Sequence, residues 1–339
     1  RSTRVRSSGA SDVYKRQVYY TIQNGCRLKD GTAIKSLKPC VATIGFFDGV
    51  HRGHQYLIRQ LVEKAHSQGL EATVITFDEH PRKVLQSDYQ PESLSTLDSK
   101  LLLLSRTDID NVVVLHFDKE MASLSAKEFM SKVLCNQLSV KSLFIGYDHR
   151  FGRNREETFD DYVRYGREMN MEVVRNDAFQ LDGINVSSSV IRSFLREGEV
   201  ELANMCLGYP YTIVGKVVNG FHEGRKLGFP TANIDISHLC QMIPAAGVYA
   251  VKVRLEQGME MKWGMMNIGT RPTFGGKRTT IETHIFHFDG DIYGQLLLVS
   301  FVHRIRGERK FESPEELAEQ LREDEETVVA LLQKDKENE

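Results

Sequence analysis

A change of hydrophobic period near Tyr209 constrains the fold more than any other feature of the chain. Before it, four strand-length runs are almost wholly apolar: "VATIGF" (41–46), "EATVITF" (71–77), "VVVLHF" (112–117) and "SLFIGYD" (142–148). Strands covered on both faces read this way, because neither side of the sheet meets water. Helical patterns separate them. Leu57, Leu61 and Ala65 recur every four residues ahead of Gly69, a C-cap residue. "LSAKEFMSKVLCNQL" (124–138) opens with Ser125 as N-cap and Glu128 at the capping-box offset. Strand, helix, strand in series predicts right-handed βαβ units and a doubly wound parallel α/β sheet. Ligands of such sheets bind at the carboxyl ends of the strands, where the strand order switches.

After Tyr209 the apolar residues alternate. "YTIVGKVVNG" (211–220), "GVYAVKVRLEQGMEMKWGMMNIG" (247–269) and "IETHIFHFDGDIYGQLLLVSFVHRI" (281–305) have the period of half-buried strands. "EQGM" and "FDGD" within them have hairpin-turn chemistry. One helical pattern closes the chain, "SPEELAEQLREDEETVVALLQ" (313–333), with Ser313 and Glu316 as a capping box and Pro314 in the first turn. A small antiparallel β-barrel with a closing helix is predicted. The two domains are then 18–208 and 209–339, in keeping with two cores for 339 residues. Residues 1–17, "RSTRVRSSGASDVYKRQ", are basic and serine-rich without the apolar segment of a secretory signal, and read as a translated vector leader.

Composition excludes several classes. No apolar run approaches the ~20 residues of a membrane span. A net charge of −2 argues against a general nucleic-acid binder. The five cysteines are odd in number and form no CxxC pair, which disfavours a disulfide framework or zinc ribbon and favours a reducing cytoplasm.

Two stretches carry chemistry. In "GFFDGVHRGH" (45–54), Gly45, Gly49 and Gly53 let the chain turn sharply from strand to helix, so that helix-start N–H groups face an anion. His51 and His54, three apart, project to one side and can donate to triphosphate oxygens. A zinc pair of the HExxH kind requires a spacing of four and a Glu, and neither is present. From the motif alone, a chance H-x-x-H on a solvated helix start stays open. In "GFHEGRKLGFPTANI" (220–234), Gly220, Gly224 and Gly228 flank Arg225 and Lys226 in a basic loop suited to covering phosphates. Thr231 and Asn233 share one side of an extended segment and offer hard oxygens to Mg²⁺. Taken alone, this stretch also fits an ordinary turn.

"GFFDGVHRGH" resembles the H-x-G-H turn of the nucleotidylyltransferase superfamily, and closely the FMN adenylyltransferase module of bacterial FAD synthetases. "TFDEHPRKVL" (76–85), "LSAKEF" (124–129), "GYDHRFGRNR" (146–155) and "VSSSVIR" (186–192) follow in the family's order. The resemblance implies a nucleotidyltransferase-type, Rossmann-like domain in which FMN phosphate attacks the α-phosphorus of ATP and Mg²⁺ bridges phosphate oxygens. It places Gly45, Phe46, Asp48, His51, His54, Ser188 and Arg192 on ATP, with His51, His54 and Arg192 catalytic, and Asp148 and Arg150 on FMN. Phe46 stands where the family has Asn, Glu79 where it has Pro, and Glu157 and Thr158 replace a glycine and an acidic or amide residue.

The second stretch, with "NIGTRPTFGG" (267–276) and "IETHIF" (281–286), resembles the riboflavin kinase module. That implies ATP on Gly224, Arg225, Gly228, Thr231 and Asn233, Mg²⁺ on Thr231 and Asn233, and Glu282 as the base. A carboxylate is far too weak to strip a primary alcohol of its proton outright, so Glu282 must accept the proton late, as the new P–O bond forms. Together the resemblances imply a bifunctional cytoplasmic enzyme whose barrel makes FMN and whose sheet domain converts FMN to FAD. Its partners would be riboflavin, FMN and ATP, with no nucleic acid or membrane, in a monomer or weak homo-oligomer. Competing readings are an enzyme with one live half, a flavin-sensing module without turnover, and a cytidylyltransferase.

Overall fold

The computed structural model describes residues 17–22, 25–28, 33–34, 37–86, 88, 92–147, 149–220, 223–237, 239–255, 260–273 and 276–338. The leader expected over 1–17 lies outside them, apart from Gln17. Two compact units divide the chain: Arg1–Pro91 with Ser95–Val186, and Glu92–Leu94 with Ser187–Glu339.

In the first unit, eight strands form one sheet: β1 (Gln17–Ile22), β2 (Gly25–Leu28), β3 (Ala33–Ile34), β4 (Cys40–Ile44), β5 (Glu71–Phe77), β6 (Asn111–Leu115), β7 (Val140–Ile145) and β8 (Glu172–Arg175). Their order is β3-β2-β1-β6-β5-β4-β7-β8. The five strands from β6 to β8 all pair in parallel. The four apolar runs are β4, β5, β6 and β7. Chain order runs outward from β4 through β5 to β6 on one side and from β7 to β8 on the other. The switch point therefore falls between β4 and β7.

Both faces of this sheet are covered, as unbroken apolar strands require. Val41 of β4 faces Leu57, Leu61 and Ala65 of α1 (Arg52–Ser67), while Ala42 and Ile44 join the core of Phe129, Met130 and Leu134 on the opposite face. The unit's other helices are α2 (Pro81–Leu85), α3 (Leu97–Ser105), α4 (Lys119–Ser123), α5 (Ala126–Phe129) and α6 (Phe159–Glu168). A short hairpin, β9 (Gln180–Leu181) with β10 (Ile184–Asn185), follows. The capping box of Ser125 and Glu128 forms as expected. The helix it starts differs in its second half, where Met130–Gln137 winds as a π-helix and Leu138 N–H reaches back to Val133 O at 3.0 Å.

The second unit begins with α7 (Ser188–Glu197) and α8 (Val200–Leu207). Then come β11 (Thr212–Val218), α9 (Glu223–Lys226), β12 (Ala232–Ile234), β13 (Gly247–Leu255), β14 (Lys262–Thr273), β15 (Gly276–Ile285), β16 (Leu296–Arg306) and α10 (Pro314–Asn338). The strands close a barrel in the order β11-β12-β15-β14-β13-β16, every pair antiparallel. Here the hairpin reading of "FDGD" is corrected. β15 pairs with β12 and β14, and β16 with β11 and β13, so 288–291 belongs to a connection between non-adjacent strands. Turn composition alone does not say which strands it joins. The "EQGM" turn (256–259) lies outside the described residues.

Helix α10 covers the barrel. Leu321, Val328 and Leu332 meet Phe229, Ala250 and Met265. Ser313 Oγ accepts Glu316 N–H at 3.1 Å, while the Glu316 carboxylate takes Glu312 N–H at 3.1 Å, one residue earlier than a capping box requires. Asp324, 2% exposed, receives Arg306 at two atoms, Nε to Oδ1 at 2.9 Å and Nη2 to Oδ2 at 2.8 Å. Removing one partner of a buried pair leaves the other charge uncompensated. Asp324→Ala is expected to destabilise the protein by about 2 kcal/mol, discounted because Arg306 keeps some solvent. Urea unfolding of the barrel unit checks this, and an unshifted midpoint would remove the pair from the stability of the cap.

Candidate active sites

The first site grows from the end of β4. Gly45 N–H still bonds to Ile75 O at 3.0 Å, and the chain then turns through Phe47 (φ 53°), Gly49 (φ 73°) and Val50 (φ 38°). Left-handed backbone is costly for a bulky or β-branched residue, so neighbours must hold this turn. Asp48 does so. Its buried carboxylate accepts the N–H of Ser95 at 3.1 Å, and Ser95 Oγ accepts Gly49 N–H at 3.0 Å. Asp48, which the resemblance implies on ATP, thus also braces the turn through its carboxylate.

His51 caps α1, its Nδ1 accepting His54 N–H at 3.3 Å. A ring nitrogen that accepts carries no proton, so neutral His51 is the Nε2–H tautomer and donates from that edge. The two imidazoles stack, centroids 3.6 Å apart and planes at 19°. Gly53 allows this, since a Cβ there would lie 3.1 Å from His51 Nδ1 and 3.0 Å from Val186 O. Burial, then the nearby His51, His149 and Lys100, hold the His54 pKa well below the ordinary imidazole value. His54 Nδ1 is buried and meets no hydrogen-bond partner among the described residues. His54 is therefore held toward its neutral form, stacked on His51, with one ring nitrogen that meets no partner among the described residues.

Lys100, in the apolar helix α3, was not singled out in the sequence. It is 3% exposed, and its Nζ donates to Phe46 O and Phe77 O, both at 3.0 Å. It thus ties together the chain just beyond β4 and the end of β5. The same Nζ stands 4.2 Å from the Phe46 ring centroid, and that ring meets His80 edge-on at 4.7 Å. Phe46 thereby forms a cation–π stack with Lys100. A lone Lys inside "LDSKLLLL" was the available signal.

The other departures also have local roles. Glu157 Oε1 accepts Ala126 N–H at 3.2 Å, and Thr158 starts α6 in a capping box with Asp161. Glu79 N–H bonds to Asp78 Oδ1 at 2.7 Å. Arg150 is exposed on the loop after β7, and Asp148 lies outside the described residues. Ser188 and Arg192 belong to the second unit, on α7, where Ser187 rather than Ser188 is the N-cap.

The second site lies on the barrel. Glu282 of β15 pairs in register with Asn233 of β12 on one side and Asn267 of β14 on the other. Residues directly opposite share a face, so one carboxylate sits between two amides. Thr231 Oγ1 donates to Glu282 Oε2 at 3.4 Å. Gly220 lets the Asn233 amide lie close against the backbone, in space a Cβ would share. Two cavities meet at Thr231. One, of about 430 Å³, is lined by Arg225, Thr231, Phe288, Asp289, Asp291 and Tyr293 among others. The other, of about 240 Å³, lies between the barrel wall and α10 and includes Gly224, Thr231, Glu282, Arg306, Phe311 and Leu321. Gly228 completes the turn between Arg225 and Thr231, with φ 87°. Arg306 and Phe311 were not anticipated, and the basic run "RIRGERKF" (304–311) was the sign of them.

Burial pushes the Lys100 pKa down from 10.5 to about 8, against the opposing pull of Asp48 and Asp78. Between those values the unfolded chain keeps the proton and the folded chain gives it up, so stability from this group rises with pH across that window. Lys100→Met is expected to flatten that limb. Urea midpoints of parent and variant at pH about 8 and about 10 test it; parallel pH dependences would place the lysine's titration elsewhere.

Comparison with known proteins covers both halves of the chain. The FAD synthetase family model matches residues 33–190, and the riboflavin kinase model matches residues 207–332. The chain is 41% identical over 300 residues to the bifunctional riboflavin kinase/FMN adenylyltransferase of Haemophilus influenzae, covering 88% of this chain and 96% of that protein. It is 39% identical over 289 residues to the protein of the same description from Escherichia coli K12, covering 85% and 91%. A crystal structure described as a macrolide-efflux protein from Streptococcus pneumoniae superposes with a TM-score of 0.76 at 31% identity, over 87% of this chain and 99% of that one. No helix among the described residues is long and apolar enough to cross a membrane. The matched modules, their order and the extent of identity place this chain in the bifunctional riboflavin kinase/FMN adenylyltransferase family.

Proposed function

We propose that residues 18–208 carry adenylyl transfer to FMN and residues 209–339 carry phosphorylation of riboflavin, with Mg²⁺ and ATP serving both. One observation supports the kinase half above all: Thr231 and Glu282 are bonded to each other at the place where two cavities meet. Riboflavin occupies the cavity against α10, its 5′-hydroxyl toward Glu282, and the triphosphate of ATP reaches Thr231 from the cavity that holds Arg225. The hydroxyl oxygen attacks the γ-phosphorus, the bond to the β–γ bridging oxygen breaks, and ADP leaves. Glu282 takes the hydroxyl proton late in that step, so its placement matters more than its basicity.

Among the described residues, no cluster of three or more His, Cys, Asp or Glu could hold a metal. The Thr231 hydroxyl and the Asn233 amide carbonyl are hard oxygens, which fit an ion that keeps most of its ligands as phosphate and water. When bound, Mg²⁺ neutralises charge on the phosphates. Gly224 and Gly228 let the Arg225 loop close over them.

In the other half, a phosphate oxygen of FMN attacks the α-phosphorus of ATP, and pyrophosphate leaves with the α–β bridging oxygen. No covalent enzyme intermediate is needed, and catalysis is positioning with charge neutralisation. His51 donates from Nε2 and His54 approaches the same phosphates as a neutral ring. By the family resemblance, Gly45 and Phe46 flank the nucleotide, Ser188 and Arg192 bind its phosphates, and Asp148 and Arg150 take FMN. Asp48 serves by holding the turn. The near-neutral charge and small substrates favour a cytoplasmic enzyme, monomeric or weakly associating, without a nucleic-acid partner.

Two substitutions separate the halves. His54→Ala is expected to lower FAD formation by about 10²-fold or more while riboflavin phosphorylation continues; loss of both in a folded protein contradicts the division. Glu282→Gln should stop FMN formation yet leave added FMN adenylylated. An undiminished kinase would remove Glu282 from its role. Incubation with riboflavin, ATP and Mg²⁺ followed by separation of the three flavins reads both.

A further inference from the structure

Arg192 lies on α7, one turn before Arg196, and both reach the same residue. Arg192 Nε donates to the backbone carbonyl of Glu92 at 2.8 Å, and Arg196 Nη2 pairs with the Glu92 carboxylate. Glu92 opens a three-residue segment, Glu92–Leu94, that clusters with the second unit although the chain on either side belongs to the first. The segment is anchored along its length. Ser93 N–H bonds to Cys240 O at 3.2 Å and Met242 N–H to Ser93 O at 2.8 Å, a parallel bridge opposite Gln241. Gln241, 5% exposed, donates through Nε2 to Leu94 O at 3.3 Å and to Thr212 O at 2.8 Å, and its Oε1 accepts Val214 N–H at 3.2 Å. One buried amide therefore fastens the segment to the first barrel strand. Ser93 and Leu94 are themselves buried.

An arginine with a free stem samples many rotamers, and fixing Nε sets the plane and direction of the whole guanidinium. A backbone carbonyl fixes it only if the backbone is immobile, which the Cys240, Gln241 and Met242 bonds secure at Ser93 and Leu94 and the Arg196 pair secures at Glu92 itself. We propose that Glu92–Leu94 is a strap that positions Arg192 for adenylyl transfer, with the Glu92–Arg196 pair as its clasp. The proposal rests on the reading of Arg192 as a phosphate ligand. In it, Glu92 is a positioning residue that acts through Arg192 and touches no substrate.

Glu92→Ala opens the clasp, and the exposed position spares the core. The Glu92 carbonyl remains but its residue is released from α7, so the KM for ATP in FMN adenylylation is expected to rise about two- to threefold with little change in kcat, the effect of loosening the orienting bond rather than deleting it. Glu92→Gln, whose amide oxygen still accepts from Arg196, should restore most of it. Riboflavin phosphorylation by the same preparations should be unchanged, which also certifies that the barrel is folded. In an Arg192→Lys background, which has no Nε to hold, Glu92→Ala should add nothing further. If Glu92→Ala leaves adenylylation unaltered while Arg192→Lys impairs it, the strap has no positioning role and the reading of Arg192 stands. If Arg192→Lys is itself without effect on adenylylation, that reading falls and the strap's role falls with it.

Discussion

Main-chain pairing between neighbouring strands is the constraint on which both sites rest. Because β4 lies between β5 and β7, the turn at 45–54 and the loop after Ile145 leave the sheet side by side at its switch point. Because β15 lies between β12 and β14, Glu282 has Asn233 and Asn267 on the same rung. A slip of one residue in either register would turn Glu282 to the other face, where Thr283 is now fully buried. The chemistry is thus held by the regular part of the fold, and loops are left to admit and enclose substrates.

The first site also manages charge with care. Lys100 is buried with its ammonium against two carbonyls, and His54 is held neutral beside a stacked His51. Two protonated imidazoles at 3.6 Å would repel strongly in so dry a place. Asp48 and Asp78 set opposite charge near the lysine. By contrast, pairs such as Lys38–Glu71 and Lys64–Glu172 are solvated and add little to stability.

Departures from the family pattern turn out to be absorbed locally. Phe46 gains Lys100 above its ring and His80 at its edge, Glu157 takes the N–H of Ala126, and Thr158 starts α6. Each replaced group therefore leaves a structural role filled. The altered residues after "FG" serve helix starts.

Much was legible in the sequence because it depended on neighbours along the chain. Unbroken apolar runs marked β4 to β7, alternation marked the barrel strands, Ser125 with Glu128 marked a helix start, and the spacing of His51 and His54 put both rings on one side. What depended on residues far apart was hidden. "FDGD" has hairpin chemistry, yet barrel closure separates β15 from β16. Nothing near Asp48 in the chain announced that Ser95, 47 positions away, would meet its carboxylate. Lys100 looked like one polar residue in an apolar helix until the fold set Phe46 O and Phe77 O around it. Local sequence determines periodicity, caps and candidate groups, since those act over a turn or a strand. Partner, tautomer and ionisation are decided only by tertiary structure, because they depend on which distant dipoles and charges close burial brings within hydrogen-bonding reach.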